Sequence, residues 1–575
     1  MYSMIFPVRI EINRPPVRLL QFPMLISICT MILMASCGST SSPEEEKDER
    51  PNIIVVLVDD MGYSDIAPFG GEIPTPNLEA LAEGGLKMTQ FYNAGRCCPT
   101  RASLLTGLYQ HQAGVGFMDG PMSDTSGNEI PSYQGYLNEN CVTMAEVLGT
   151  NGYQTYLSGK WHVGREKEHW PSRRGFDESY AFIYGAGSYF NKKAYRPSNR
   201  ESVIVYNDED VAIDEDFYLT SEISDNAVEF IKKSEEKQEP FFMYLAYTAP
   251  HWPLHALEED IALFRGKYMG GWDSLRNTRH VAMLDKGIIK KEWGLGPRYS
   301  MPPDRTAKDY QGQTVHLTPE WDTLSLEQKR KWDLRMAVYA AMVYRMDAGI
   351  GKIMQQLKEQ GTYDNTLIMF MSDNGACHEP VHTWNIVYDQ NGEVGSPESF
   401  EGYSYPWANA SNTPFRLFKH WTAEGGIATP FIAHWPKMIK EQTVNTSDYA
   451  HIIDVMATCV DVSGAAYPTE FNKNKILPME GNSLMPLFEQ GDMEYERLIF
   501  WEHQGNTAVR KGDWKLVKLI DGYVENPDEY QLFNLREDRT ESNNVIEEHP
   551  EIADSLLRAY GDWAERVGVN PDVHN

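Results

Sequence analysis

Positive charge is what this chain is short of. Its 52 Lys and Arg stand against 82 Asp and Glu, a formal net charge of −30 over 575 residues. So acidic a chain excludes nucleic acid as a partner, because a phosphate backbone needs a basic face. A long polyanion is repelled too, unless a local basic pocket acts within the Debye length of about 8 Å at physiological salt. Cysteine is scarce, with seven in all. Cys29 and Cys37 fall in an N-terminal leader and Cys97 in a motif taken up below. Cys98, Cys141, Cys377 and Cys459 are too few to staple a fold of this size. The one apolar run that approaches membrane length, Leu19 to Ala35, is interrupted by Pro23 and is short for a bilayer. What is there is the composition of a folded globular chain, 42% hydrophobic and 23% charged.

Arg9, Arg14 and Arg18 precede that apolar run, which closes on Leu33-Met34-Ala35-Ser36-Cys37. A basic flank, an apolar centre and small residues before a cysteine resemble the bacterial lipoprotein signal, cleaved before Cys37 and lipidated there. This assigns residues 1–36 to a signal and 37–50, Ser-rich and then acidic, to a solvated tether. Export to the periplasm or the cell surface follows, with the membrane touched only through the lipid on Cys37.

From Pro51 onward, apolar runs alternate with helical patterns. Asn52 to Val58 is a β-branched run, the signature of a strand buried on both faces, and Asp59-Asp60 follows at once. Tyr153 to Leu157 precedes Lys160 and His162, Phe241 to Tyr247 precedes His251 and Trp252, and Thr366 to Met371 precedes Asp373-Asn374. Between them lie helical stretches at 77–84, 143–151, 222–233 and 326–360. In the last, Val338, Met342, Met346, Ile350 and Ile353 recur at helical spacing. This predicts a large α/β/α sandwich on a mostly parallel sheet over 51–490, with ligands beyond the carboxyl ends of the strands. Short alternating runs after Glu494 and an amphipathic stretch over 551–567 predict a small C-terminal α+β domain, 491–575, with an antiparallel sheet. Two polar stretches, 185–216 and 257–319, fit the alternation badly. Their aromatics, among them Tyr268, Trp272, Trp293 and Tyr299, suit either sugar stacking at a rim or packing of the insertion.

The densest chemistry is Cys97-Cys98-Pro99-Thr100-Arg101, continued by Leu104-Leu105-Thr106-Gly107. Pro99 suits a first helical turn and Gly107 a helix stop. Cys97 then lies at unsatisfied backbone N–H groups with Arg101 one turn on, a place built for an anion. Asp59, Asp60, Asp373 and Asn374 are hard oxygen donors, which favour Ca²⁺ or Mg²⁺ over zinc.

These residues resemble the signature of the formylglycine-dependent sulfatases, Cys-x-Pro-Ser/Thr-Arg followed by Leu-Thr-Gly, in the alkaline phosphatase superfamily. The resemblance implies that Cys97 is converted to Cα-formylglycine by a maturating enzyme. It implies Ca²⁺ on Asp59, Asp60, Asp373, Asn374 and residue 97. It also implies catalytic roles for Arg101, Lys160, His162, His251 and Lys419: charge neutralisation by the cations, proton donation by His251 with Lys419, and proton acceptance by His162. Trp252, His503 and Asn506 are candidate substrate contacts. The expected activity is hydrolysis of a sulfate ester, that of a sulfated saccharide. Arylsulfatase action, phosphate or phosphonate ester hydrolysis and an inactive glycan-binding shell are the alternatives. The acidic balance favours a small or lightly sulfated substrate.

Overall fold

The computed structural model describes residues 49–575 except 125, 194–200, 238, 302–304, 310–311, 385–391, 441–442, 494–495, 521–526 and 575. The signal and nearly all of the tether lie outside the described residues. Seven strands carry the main sheet: β1 (Asn52–Val58), β2 (Leu86–Tyr92), β3 (Gln154–Lys160), β4 (Glu178–Phe182), β5 (Phe241–Ala246), β6 (Thr366–Ser372) and β7 (Ala428–His434). Their order is β2-β7-β6-β1-β5-β3-β4, and short edge strands complete an eleven-stranded sheet. The run β6-β1-β5-β3-β4 is parallel. β7 is antiparallel to both β6 and β2.

The β-branched run of β1 explains its central place. Ile54, Val56 and Val58 enter one core, and Ile53, Val55 and Leu57 enter the other. The two-residue period of a strand thus puts apolar side chains on both faces. Six helices matter here: α1 (Cys97–Thr106), α2 (Met144–Thr150), α3 (Leu219–Glu235), α4 (Leu326–Glu359), α5 (Asp454–Ser463) and α6 (Pro550–Val567). α3 and α4 bury Ile223, Ala227, Met342 and Ile350 in the first core. α1, α2 and α5 bury Leu104, Leu105, Val147 and Val455 in the second. Capping boxes at Thr143 with Glu146 and at Ser325 with Gln328 fix where α2 and α4 start.

The C-terminal part is a four-stranded antiparallel sheet in sequence order, β8 (Leu498–His503), β9 (Asn506–Lys511), β10 (Trp514–Lys518) and β11 (Tyr530–Asn534). α6 closes over it, with Trp563 stacked on Phe500 at 5.1 Å. The aromatics of the long insertion pack inward. Trp272 is fully buried and meets Trp321, Trp332 and Trp407 edge to face at 4.8–5.5 Å. Trp293 and Tyr268 are buried as well, so these rings hold the insertion to the domain and do not form a sugar-stacking rim. The five cysteines among the described residues are free and buried.

Candidate active site

β6, β1, β5 and β3 end side by side, so the segments leaving them open on one edge of the sheet. β1 runs into Asp59-Asp60, β6 into Asp373-Asn374, β3 ends on Lys160 with His162 after it, and β5 leads to His251. All seven side chains are buried. Asp60 and His162 hold φ of +66° and +57°. This left-handed conformation costs a residue other than glycine about 1 kcal/mol, and it persists where surrounding contacts fix the turn. α1 arrives with Cys97 as its first residue and Gly107 closing it at φ +68°. Lys419 is held by its backbone N–H on the Ala376 carbonyl at 3.1 Å. The two loops approach so closely that a Cβ on Gly375 would lie 1.8 Å from the Gly425 carbonyl oxygen.

Arg101 joins the clusters. Its Nη2 lies 3.0 Å from Asp373 Oδ2 and 3.8 Å from Asp59 Oδ2, while Nη1 donates to the Lys160 carbonyl and the Tyr244 hydroxyl. Lys160 Nζ contacts Asp59 Oδ2. Lys419 Nζ lies 2.7 Å from Asp60 Oδ1 and 3.2 Å from His251 Nε2. Asn374 Nδ2 donates to Asp60 Oδ1 at 2.7 Å. His162 Nε2 lies 3.2 Å from Cys98 Sγ and 3.5 Å from Asp119 Oδ2.

The electrostatics follow from burial and neighbours. Burial and the nearby Asp373 push the Asp59 carboxyl up to about 7, and burial raises Asp373. Asp60 is buried too, yet His251 and Lys419 hold it below the usual carboxylate value. A hydrogen bond from Cys98, with His162 and Lys160 close by, holds the Cys97 thiol well below its ordinary value despite burial. The head of α1 therefore favours negative charge at residue 97. Burial lowers His251, and for His162 the charges of Cys97 and Asp119 outweigh it and raise the imidazole.

The residues fit a hard cation. Asp59 Oδ1 and Asn374 Oδ1 are buried without a hydrogen-bond partner. Three buried carboxylates meet there, and burial together with the neighbouring Asp373 raises Asp59. Buried polar oxygens are rarely left unpaired, and an oxygen-only set suits Ca²⁺ or Mg²⁺. Asp59, Asp60 and His251 also bring one ligand atom each within 4.8 Å of the others.

A cavity of about 750 Å³ opens above these groups, and Cys97, His162, His251, Trp252 and Lys419 line it. His503 is buried behind this lining with its ring 6.0 Å from Phe117, which does line the cavity. Asn506 donates to the His503 carbonyl and lies 3.4 Å from His420. Neither is among the lining residues. Sequence reasoning missed Arg96, Asp119, Arg165 and Glu379, which all line the cavity. Glu379 follows Asp373-Asn374 by a few residues and could have been found from that nearness. Asp119 sits in an irregular loop with no periodic signal.

Comparison with known proteins decides the family. The sulfatase family model matches residues 51–465. The chain belongs to the sulfatase family. A second family model, the C-terminal part of N-sulphoglucosamine sulphohydrolase, matches this sulfatase over 415–559. An uncharacterized sulfatase of Schizosaccharomyces pombe is 34% identical over 92% of this chain and 95% of that protein. An arylsulfatase of Klebsiella aerogenes is 37% identical over 76% of this chain and 92% of its own length. Among solved structures, Ps i-CgsB in complex with k-i-k-neocarrahexaose superposes with a TM-score of 0.62 at 26% identity, covering 90% of this chain and 93% of that one. The enzyme is a sulfuric ester hydrolase, with the mixed α/β sheet and separate antiparallel domain of the sulfatase fold.

Proposed function

We propose that this sulfatase removes sulfate from a carbohydrate O-sulfate, using Cα-formylglycine made from Cys97 by a maturating enzyme, together with Ca²⁺. The observation that carries the reading is the meeting of Cys97 at the head of α1 with His162, His251 and Lys419 at one cavity, above Lys160 and four buried oxygen donors. Asp59, Asp60, Asp373, Asn374 and residue 97 would hold the ion, which supplies positive charge to sulfate oxygens. The hydrated aldehyde supplies an oxygen nucleophile and a second hydroxyl through which sulfate can leave, which a thiol lacks.

The chain's own groups do the rest. Lys160 and Lys419 neutralise charge on the sulfate as the ester bond breaks. Arg101 ties Asp373 to the Lys160 carbonyl and so sets the two clusters at a fixed distance. His251 donates through Nδ1–H to the Trp252 carbonyl at 2.6 Å, which leaves Nε2 to accept a proton from the Lys419 ammonium at 3.2 Å and pass it to the departing alcohol. His162 Nε2, flanked by Cys98 and Asp119, receives the proton of the residue-97 hydroxyl.

A sugar substrate is supported by a cavity wall that mixes tryptophan with hydrogen-bonding pairs, and by the hexaose in Ps i-CgsB. The lipoprotein-like leader supports an exported enzyme anchored through Cys37. The test is sulfate release from a panel of defined monosulfated sugars set beside 4-nitrophenyl sulfate. Turnover of at least one sugar sulfate is expected. Turnover of the aryl ester alone would reject the carbohydrate reading.

A further inference from the structure

Two guanidinium groups stand on the cavity wall, and each already has a carboxylate partner. Arg165 Nε and Nη2 lie 2.7 Å from the two oxygens of Asp119, a bidentate pair. Arg96 Nη2 lies 3.0 Å from Glu379 Oε1, and Glu379 Oε2 accepts Trp252 Nε1–H at 2.6 Å. Glu166 adds a third carboxylate to the lining. Away from the groups that would hold the sulfate, the wall therefore carries two positive and three negative side chains. Trp384, edge to face with Trp252 at 5.6 Å, adds an apolar surface.

A second anionic group on the substrate would meet either an enclosed carboxylate or a guanidinium already committed to one, with Arg165 half exposed and Arg96 17% exposed. The Asp119 and Glu379 side chains are only 6% and 11% exposed. Drawing the guanidinium away would cost each enclosed carboxylate its charge-assisted hydrogen bonds and leave Asp119 with His162 at 3.5 Å and Glu379 with the Trp252 N–H. A hydroxylated neutral ring has no such conflict. It can hydrogen-bond to the pairs as they stand and rest against the aromatic rings. The formal net charge of −30 acts in the same direction at longer range.

We propose that this sulfatase selects a monosulfated substrate whose alcohol is uncharged, with Asp119 and Glu379 as specificity-determining residues that turn away a second sulfate or a carboxylate near the scissile ester. The inference rests on the carbohydrate-sulfate reading above.

The experiment has two steps. A panel of positional isomers first identifies the monosulfated sugar with the highest kcat/KM. The same protein sample is then given that sugar with a second sulfate on a neighbouring carbon. The expected kcat/KM for the second compound is lower by about tenfold or more. In Asp119→Asn and Glu379→Gln, each of which removes one negative charge at nearly constant shape, the ratio between the two substrates should narrow. A ratio is independent of how much of a variant is folded and matured, so partial misfolding does not hide the effect. Equal or faster hydrolysis of the disulfated sugar by the unaltered enzyme would overturn the inference, as would a ratio unmoved in both variants. Failure to cleave any monosulfated sugar would instead reject the carbohydrate reading, and this inference with it.

Discussion

Lys419 Nζ lies 3.2 Å from His251 Nε2, and both reach the same oxygen of Asp60, at 2.9 and 3.3 Å. The imidazole is fixed from behind by the Trp252 carbonyl, so only Nε2 can exchange a proton with a substrate. A group in this position matters most for a leaving group that cannot depart as an anion. His251→Ala should therefore lower kcat on a sugar sulfate by about 10²- to 10⁴-fold and far less on 4-nitrophenyl sulfate, whose phenolate leaves unprotonated. Steady-state kinetics on the two substrates measures this. Equal losses on both would remove His251 from the role of proton donor.

Gly185 leaves room for the His162 ring. A Cβ there would sit 2.5 Å from both Cε1 and Nε2 of that ring, closer than real Cβ contacts come. Gly185→Ala should displace the imidazole from Cys98 and Asp119 and lower kcat by at least about tenfold, since small misplacements of a catalytic group are costly. Gly185 lines the cavity, so the fold should survive and Tm should move little. A variant with unchanged kcat would show that the His162 ring position seen here is not the working one.

In the proposed calcium site, Asp59 would link metal binding to pH. Its carboxyl is raised from 3.8 to about 7 by burial and by Asp373, and Asp373 is raised by burial. A carboxyl raised in the fold contributes stability that is complete below its unfolded value of 3.8 and is lost as pH climbs through about 7. Asp60, lowered instead, stays ionised across that window and adds no slope there. Calcium bound there would favour the ionised oxygens and oppose the loss. The calcium-induced rise in Tm should therefore be larger near pH 8 than near pH 5. Thermal melts after chelation, with and without added Ca²⁺, measure it, and a rise of equal size at both pH values would contradict the account.

A buried ion cluster joins the C-terminal sheet to the loop after Lys419. Lys515 Nζ lies 2.9 Å from both Glu424 and Glu541, and Arg539 Nε lies 3.0 Å from Glu424, all with side chains 0% exposed. Removing Lys515 leaves the buried cluster one positive charge short, with only Arg539 on Glu424 and Arg416 on Glu541, at a cost of about 3–5 kcal/mol. Lys515→Met should lower the unfolding free energy by that amount in a denaturant titration. A loss below about 1 kcal/mol would mean that the cluster is hydrated and weak.

Much of the fold and the floor of the site could be read from the sequence because each rests on local signals. The strand ends of β1 and β6 are marked by an abrupt change from apolar residues to carboxylates, and α4 by apolar residues recurring at helical spacing. Residues paired across long separations could not be read. Asp119 and Arg165 are 46 positions apart, and Arg96 and Glu379 are 283 apart. Their meeting depends on how irregular loops fold over a finished sheet, which no periodicity encodes. Trp272 makes the complementary point. Composition identifies a large aromatic residue but cannot say whether it faces solvent or three other tryptophans.

The most direct test of the proposed chemistry follows residue 97 itself. The protein is produced with and without a maturating enzyme, and the peptide containing that residue is analysed by mass spectrometry alongside sulfate release per molecule. Specific activity should rise in proportion to the fraction of molecules carrying an aldehyde, and Cys97→Ala should be folded and inactive. Full turnover by protein that carries only the thiol would contradict the account.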